Sequence, residues 1–242
     1  MKAVEVRGLN YGYHVDGPTV LKNINFQVNP GEMIGVMGLS GCGKSTLCYC
    51  LTGIIPHSRG GRLEGEVLVN GKNTREHTIA RLALEVGMVF QNPDTQLFSP
   101  TVEDEIAFAP ENMCLPPDHI QERVDYVIDL LGIDALREAN PYQLSGGEKH
   151  LVALASVLAL NPPVLVLDEV MSQLDKTGRE KVAAALQKLR HQGKTIIAVE
   201  HDLETIAFAD RLMVIDHGEL VRFDRTEILL ADRDFWAASQ LI

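Results

Sequence analysis

A chain of 242 residues can hold one α/β unit with a substantial core and an inserted lobe. With 45% hydrophobic and 23% charged residues, the composition excludes a disordered chain. A formal net charge of −11 excludes the broad basic footprint of a general nucleic-acid binder, though not a local basic groove.

The opening stretch MKAVEVRGLNY has no apolar h-region and no cleavage signal, so the chain is expected to stay in the cytosol. AVEVRGL (3–9) is the first β-like run and MIGVM (33–37) the next. Directly after MIGVM comes GLSGCGKST (38–46), which fits G-x-x-x-x-G-K-[ST] at Gly38, Gly43, Lys44 and Ser45 and opens a helix at about Lys44. Glycines in such a loop let backbone N–H groups wrap a β-phosphate with no Cβ in the way. Lys44 would reach the β- and γ-phosphates, and the Ser45 hydroxyl would ligate Mg²⁺. Ser40, Gly41, Cys42 and Thr46 complete the expected nucleotide-binding set. Of the four cysteines, Cys42, Cys48, Cys50 and Cys114, none forms a C-x-x-C pair, so reduced thiols are expected.

VGMVF (86–90) is a third strand, and Gln91 at its end stands where ligands of α/β sheets gather, placed to sense Mg²⁺ and an attacking water. From about 92 to 160 strand signals are missing. Pro116 and Pro117 precede Asp118, an expected N-cap; Ile120, Val124, Val127, Ile128 and Leu131 mark one helical face, and Gly132 is the stop. QLSGGEKHL (143–151) opens the next helix: Ser145 as N-cap, then Gly146 and Gly147 with bare N–H groups that suit an anion. The apolar stretch from Leu151 to Leu167 is broken by Asn161, Pro162 and Pro163, short of the roughly 20 residues a spanning helix needs. VLVLDEV (164–170) is a strand ending in two carboxylates. Asp168 can hold Mg²⁺, and Glu169 can orient or deprotonate a water. After Asp175, Val182, Leu186 and Leu189 mark another helix that Gly193 stops. TIIAV (195–199) leads to His201, which can hydrogen-bond a γ-phosphate. LMVIDHGELVRF is a hairpin turning at His217-Gly218, and the tail 225–242 is expected as helix, with Phe235 and Trp236 covering the core or a partner. The runs 33–37, 164–168, 195–199 and 212–216 are nearly continuous in apolar residues, as in strands of a parallel sheet buried on both faces.

The ordered set of phosphate loop, Gln91, LSGGE, VLVLDE, SQLD (172–175) and EHD (200–202) resembles the nucleotide-binding subunit of ATP-binding cassette (ABC) transporters over essentially the whole chain. The resemblance implies one ABC ATPase domain over 1–242 with an α/β P-loop NTPase fold. A RecA-like core with an N-terminal antiparallel β-subdomain would occupy about 1–91 and 161–242, and an inserted α-helical subdomain about 92–160. It implies ATP and Mg²⁺ as cofactors, with Glu169, His201 and Gln91 catalytic and Ser45, Gln91 and Asp168 around the metal. Tyr13, in LNYGY, would stack on adenine. Two subunits would pack head to tail, so that Ser145, Gly146, Gly147 and Glu148 touch the partner's nucleotide and Asp175, of the D-loop, sits at the same interface.

QNPDTQLFSPTVEDEIAF (91–108) resembles the energy-coupling factor (ECF) and cobalt-type ATPases; 53–74 and SQLD resemble their tandem-type members. That branch implies an integral membrane scaffold and a membrane-bound substrate-binding subunit. It also implies a peripheral place on the cytoplasmic face of the membrane, and uptake of a vitamin or a transition-metal ion of the cobalt/nickel class. Glu103, Asp104 and Glu105 either meet basic residues of the scaffold or form a solvated helix start. Glu148 replaces the Gln that ends LSGGQ, His150-Leu151 the usual Gln-Arg, Val170-Met171 the usual Pro-Thr, and Lys176 a frequent Pro. A carboxylate at 148 would oppose phosphate unless it faces away or pairs with Lys149. Because the departures fall on the surface offered to the other site, an asymmetric heterodimer is expected. The competing readings are a non-transport ABC ATPase working on nucleic acid or ribosomes, and an inactive regulatory cassette; no nucleic acid is expected as a partner.

Overall fold

The computed structural model describes residues 1–239 and divides its strands between two sheets. In chain order they are β1 (Val4–Gly12), β2 (Leu21–Val28), β3 (Met33–Met37), β4 (Arg62–Val69), β5 (Lys72–Asn73), β6 (Val86–Val89), β7 (Val164–Asp168), β8 (Thr195–Val199), β9 (Arg211–Asp216) and β10 (Glu219–Arg225). One sheet, ordered β2-β1-β4-β5, is antiparallel. The other, ordered β10-β9-β3-β8-β7-β6, is parallel except for β10 at its edge.

The parallel strands carry the apolar runs, and their side chains point alternately to two cores. Met33, Met37, Leu165, Leu167, Ile196 and Ala198 join the helices Val102–Asn112, Pro117–Leu131, Gly146–Ala159 and Lys176–His191 in one core. Ile34, Val36, Val164, Val166, Ile197 and Val199 join Leu47, Cys48 and Leu51 and the antiparallel sheet in the other. No strand lies between Val89 and Val164. No helix among the described residues is long and apolar enough to cross a membrane.

Several sequence expectations need correction. The run 3–9 extends to Gly12, and its partners β2 and β4 carry no run of apolar residues. β2 alternates buried Ile24, Phe26 and Val28 with solvated Asn25 and Gln27; β4 buries only Val67 and Val69. A sheet with one solvated face has this weaker pattern. Asp118 is not the N-cap: the helix begins at Pro117 with Pro116 as cap, because proline's fixed φ and missing N–H suit the first helical position. The tail is two helices, Thr226–Ala231 and Arg233–Ser239, interrupted at Asp232, whose carboxylate accepts from Phe235 N at 3.0 Å and pairs with Arg222. Trp236 Nε1 donates to Leu229 O at 2.7 Å and the ring is buried, so it covers the core; residues 240–242 of the expected helix lie outside the described residues. The hairpin turns at His217-Gly218 as expected, with φ of +46° and +83° at the two loop residues.

Candidate active site

The carboxyl ends of β3, β6, β7 and β8 converge on a cavity of about 500 Å³, lined by Tyr13, Val20, Ser40, Gly41, Gly43, Lys44, Ser45, Thr46, Gln91, Glu169 and His201. Its floor is the loop after β3, which feeds the helix Lys44–Leu51. Glycine is required at Gly38, where a Cβ would stand 2.2 Å from the Ile215 carbonyl oxygen and 2.5 Å from Cys42 Sγ. Lys44 Nζ folds over its own loop, donating to Gly38 O at 2.8 Å and Leu39 O at 3.1 Å. Those bonds hold the ammonium at the loop mouth, where a phosphate can replace the carbonyls. Tyr13 Oη meets Thr46 Oγ1 at 2.9 Å, and its half-exposed ring stands edge-on to Tyr11. Gly38 and Cys42 do not line the cavity; the Cys42 thiol is buried, and burial pushes its pKa up.

The two carboxylates that end β7 differ sharply. Asp168 is 1% exposed, and its Oδ1 has no hydrogen-bond partner among the described residues. Burial raises its pKa, against the Ser45 hydroxyl bonded to it; the Glu169 charge raises it further, and Lys44 and His201 lower it. A buried orphan carboxylate oxygen beside a serine hydroxyl is the donor chemistry of an oxygen-ligated divalent cation such as Mg²⁺. Glu169 takes φ of +57° and is held from both sides: Oε1 lies 2.5 Å from His201 Nε2, and Oε2 accepts from Gln91 Nε2 at 2.5 Å. The geometry therefore unites Gln91, Glu169 and His201, three residues distant in sequence.

None of Ser145, Gly146, Gly147, Glu148 and Asp175 lines this cavity. Ser145 caps the helix Gly146–Ala159 in a capping box: Glu148 N donates to Ser145 Oγ at 3.4 Å, and Glu148 Oε2 accepts from Ser145 N at 2.9 Å and Ser145 Oγ at 2.7 Å. Gly146 has open space around it. Asp175 Oδ1 accepts from Gly178 N at 2.7 Å, capping the helix Lys176–His191.

The model for the ABC transporter family matches residues 21–172, well over half of the chain. This chain belongs to the ABC transporter ATP-binding family. The ABC cassette is 40% identical over 230 residues to an energy-coupling factor transporter ATP-binding protein, EcfA, of Methanosarcina acetivorans, covering 95% of this chain and 82% of that one. Among solved structures it is similar to cbiO1 of Clostridium perfringens, part of the ABC transporter complex cbiONQ. There the TM-score is 0.84 with 33% identity, over 99% of this chain and 95% of that one. It is similar also to a dimeric ATP-binding cassette in a post-hydrolysis state bound to ADP and Pi, at TM-score 0.83 and 26% identity, over 92% and 98% of the two chains. It is the ATPase of a transporter.

Within this cassette the departures in sequence have local explanations. Lys149 does not neutralise Glu148; it pairs with Asp94 at 2.7 Å, while Glu148 turns back onto Ser145. His150 is buried, its Nδ1 2.8 Å from Gly146 O and its Nε2 3.2 Å from Gln91 O, so it ties the helix Gly146–Ala159 to the loop that carries Gln91. The trio Glu103, Asp104 and Glu105 is not one surface. Glu105 is buried and accepts from Phe98 N and Ser99 N at 2.8 Å each, Glu103 pairs with Arg137 at 2.7 Å, and Asp104 accepts from Thr101 Oγ1. Glu105 lies one helical turn from Val102, a spacing that places it on the inner face. Glu200 was not singled out by sequence. It is 0% exposed, and burial pushes its carboxyl up to about 7 against the Met171 and Ser172 backbone N–H groups that lower it. An acid continuing the wholly buried run TIIAV is the signal that could have marked it.

Proposed function

We propose that this ATPase is one of two cassettes, in a heterodimer, of an ECF-type importer that draws a vitamin or a transition-metal ion through membrane partners at the cytoplasmic face. The observation that carries the reading is an apolar groove outside the ATP site. About 290 Å³ in volume, it is lined by Ile79, Phe90, Phe98, Phe108, Val157 and Leu160 among others. Phe98 and Phe108 meet edge to face at 4.6 Å yet remain 53% and 43% exposed. An exposed aromatic pair set in an apolar groove is a protein-docking surface. The likeness to EcfA and cbiO1 supports a membrane scaffold as the occupant. In this reading residues 92–160 form the inserted helical subdomain, and Glu103 and Asp104 flank the docked segment; Glu105 serves the fold.

At the ATP site, Tyr13 would stack on the base, the phosphate-loop backbone from Gly38 to Gly43 would cradle the phosphates, and Lys44 and Thr46 would bind their oxygens. Asp168, Ser45 and Gln91 would hold Mg²⁺, which when bound neutralises phosphate charge. Glu169 would take the proton of the attacking water, while His201 fixes the opposite edge of its carboxylate and faces the γ-phosphate. A second cassette would close the cavity with Ser145, Gly146 and Gly147 at its signature helix start and Asp175 beside them.

Affinity-purified full chain from its own host is expected to carry an integral membrane protein, and Phe108→Glu is expected to lower that recovery severalfold without changing ATP binding. Recovery of nucleic acid or ribosomes in place of a membrane protein would favour the non-transport ATPase.

A further inference from the structure

Among the buried acids near the ATP site, Glu200 alone has no part in the binding or proton-transfer steps above. Its oxygens accept two separate backbone bonds, Oε1 from Met171 N at 2.8 Å and Oε2 from Ser172 N at 3.1 Å. Those amides begin the short 3₁₀ turn Met171–Gln173, which joins Glu169 to Asp175. A carboxylate is costly to bury, so its presence on backbone amides calls for something gained in return.

The segment it holds is one that needs holding. Glu169 sits at φ +57°, a region that side-chain-bearing residues seldom occupy. Val170, at φ −72°, has no ring to fix that angle, and as N-cap of the turn its own side chain makes no capping bond. Ser172 Oγ donates to Glu169 O at 3.1 Å, tying the turn back to the same residue. Two consecutive residues after β8 thus grip the segment after β7: His201 on the Glu169 carboxylate, Glu200 on the backbone two and three residues later.

We infer that Glu200 is a positioning residue, which by fixing the Met171 and Ser172 amides sets the direction of Glu169 and the placement of Asp175 toward a second cassette. This rests on Glu169 acting as the base and on a second cassette closing the site, and is independent of the import reading. Lys44, Ser45, Thr46 and Tyr13 lie on other segments, so the effect belongs in turnover and not in nucleotide affinity.

Glu200→Gln keeps the size but presents an NH₂ to one of the two N–H groups. The full chain carrying it is expected to show kcat lower by roughly fivefold with KM for MgATP within about twofold of the parent. Adding Val170→Pro is expected to bring kcat back to within about twofold, because proline's φ near −65° supplies the rigidity that the carboxylate otherwise provides. An unchanged kcat in Glu200→Gln overturns the inference, as does a loss that Val170→Pro fails to restore, since an acid needed only for folding predicts no such rescue. Should the Gln variant not fold, Glu200→Asp, with both oxygens on a shorter stem, carries the same test: its lowered kcat must also be restored by Val170→Pro. A Glu169→Gln chain that hydrolyses ATP at the parent rate would remove the role on which the inference rests, which is a different result from an inert Glu200→Gln.

Discussion

Glu169→Gln is expected to bind MgATP as tightly as the parent while its kcat falls by about 10²–10⁴-fold, the range that a positioned general base supplies. The substitution leaves Lys44, Ser45, Thr46 and the phosphate-loop backbone untouched, so affinity has no reason to change. What is lost is a carboxylate, 6% exposed at the end of β7, with both oxygens engaged by donors from other strand ends. Gln91 and His201 hold it in one orientation, and neither can take over a proton acceptor's work while donating to it. The amide of a Gln at 169 would also turn an NH₂ toward one of those donors, so the site loses alignment as well as basicity. If ATP closes two cassettes on each other and hydrolysis opens them, the variant should accumulate as an ATP-dependent dimer. Size-exclusion chromatography with and without MgATP, beside steady-state turnover, measures both halves. A variant that turns over at the parent rate would take Glu169 out of the mechanism.

How much of this was legible in the sequence follows the burial of each element. The strands that carry the site could be read because they are sealed on both faces: VLVLD and TIIAV are buried at every position. Their carboxyl ends place Asp168, Glu169 and His201 without further information. β2 and β4 share a sheet with β1 but show one face to water, and Asn25, Gln27, Glu64 and Glu66 dilute the pattern. The roles of single polar residues were the least legible, because a partner distant in the chain decides each one. Glu105 looks like a third surface acid until Phe98 N and Ser99 N are seen to fold onto it. Glu200 looks like a spacer before His201 until the Met171 turn arrives from 29 residues upstream. Lys149 lies next to Glu148 in sequence and was a natural partner for it, but consecutive helical residues point apart, and Asp94 takes the ammonium.

That last detail leads to the second large effect: Glu148→Gln is expected to raise, roughly tenfold, the ATP affinity of the site that the helix Gly146–Ala159 would close on a second cassette, and to leave this chain's own site unchanged. A helix start such as Ser145–Gly147 suits an anion, and here its own Glu148 carboxylate is bonded to Ser145 N and Oγ. Those bonds, the hydroxyl's first and the backbone's second, hold the Glu148 carboxyl below the usual range, so it is ionised at neutral pH. A γ-phosphate arriving there would meet a negative charge with no cation paired to it. A tenfold change is about 1.4 kcal/mol, which lies within the range that a single solvent-screened unit charge near a phosphate can supply. Gln keeps the size and one acceptor oxygen, so the capping box survives while the charge goes. In a heterodimer the uncorrected charge makes the two sites unequal: the site built on this chain's Lys44 and Glu169 should carry most of the turnover, and the partner's site little. Removing the catalytic carboxylate of each cassette in turn measures that ratio. Equal losses from the two removals, or a Glu148→Gln chain whose partner site binds ATP no better, would mean that the capped carboxylate turns away from the nucleotide when the dimer closes.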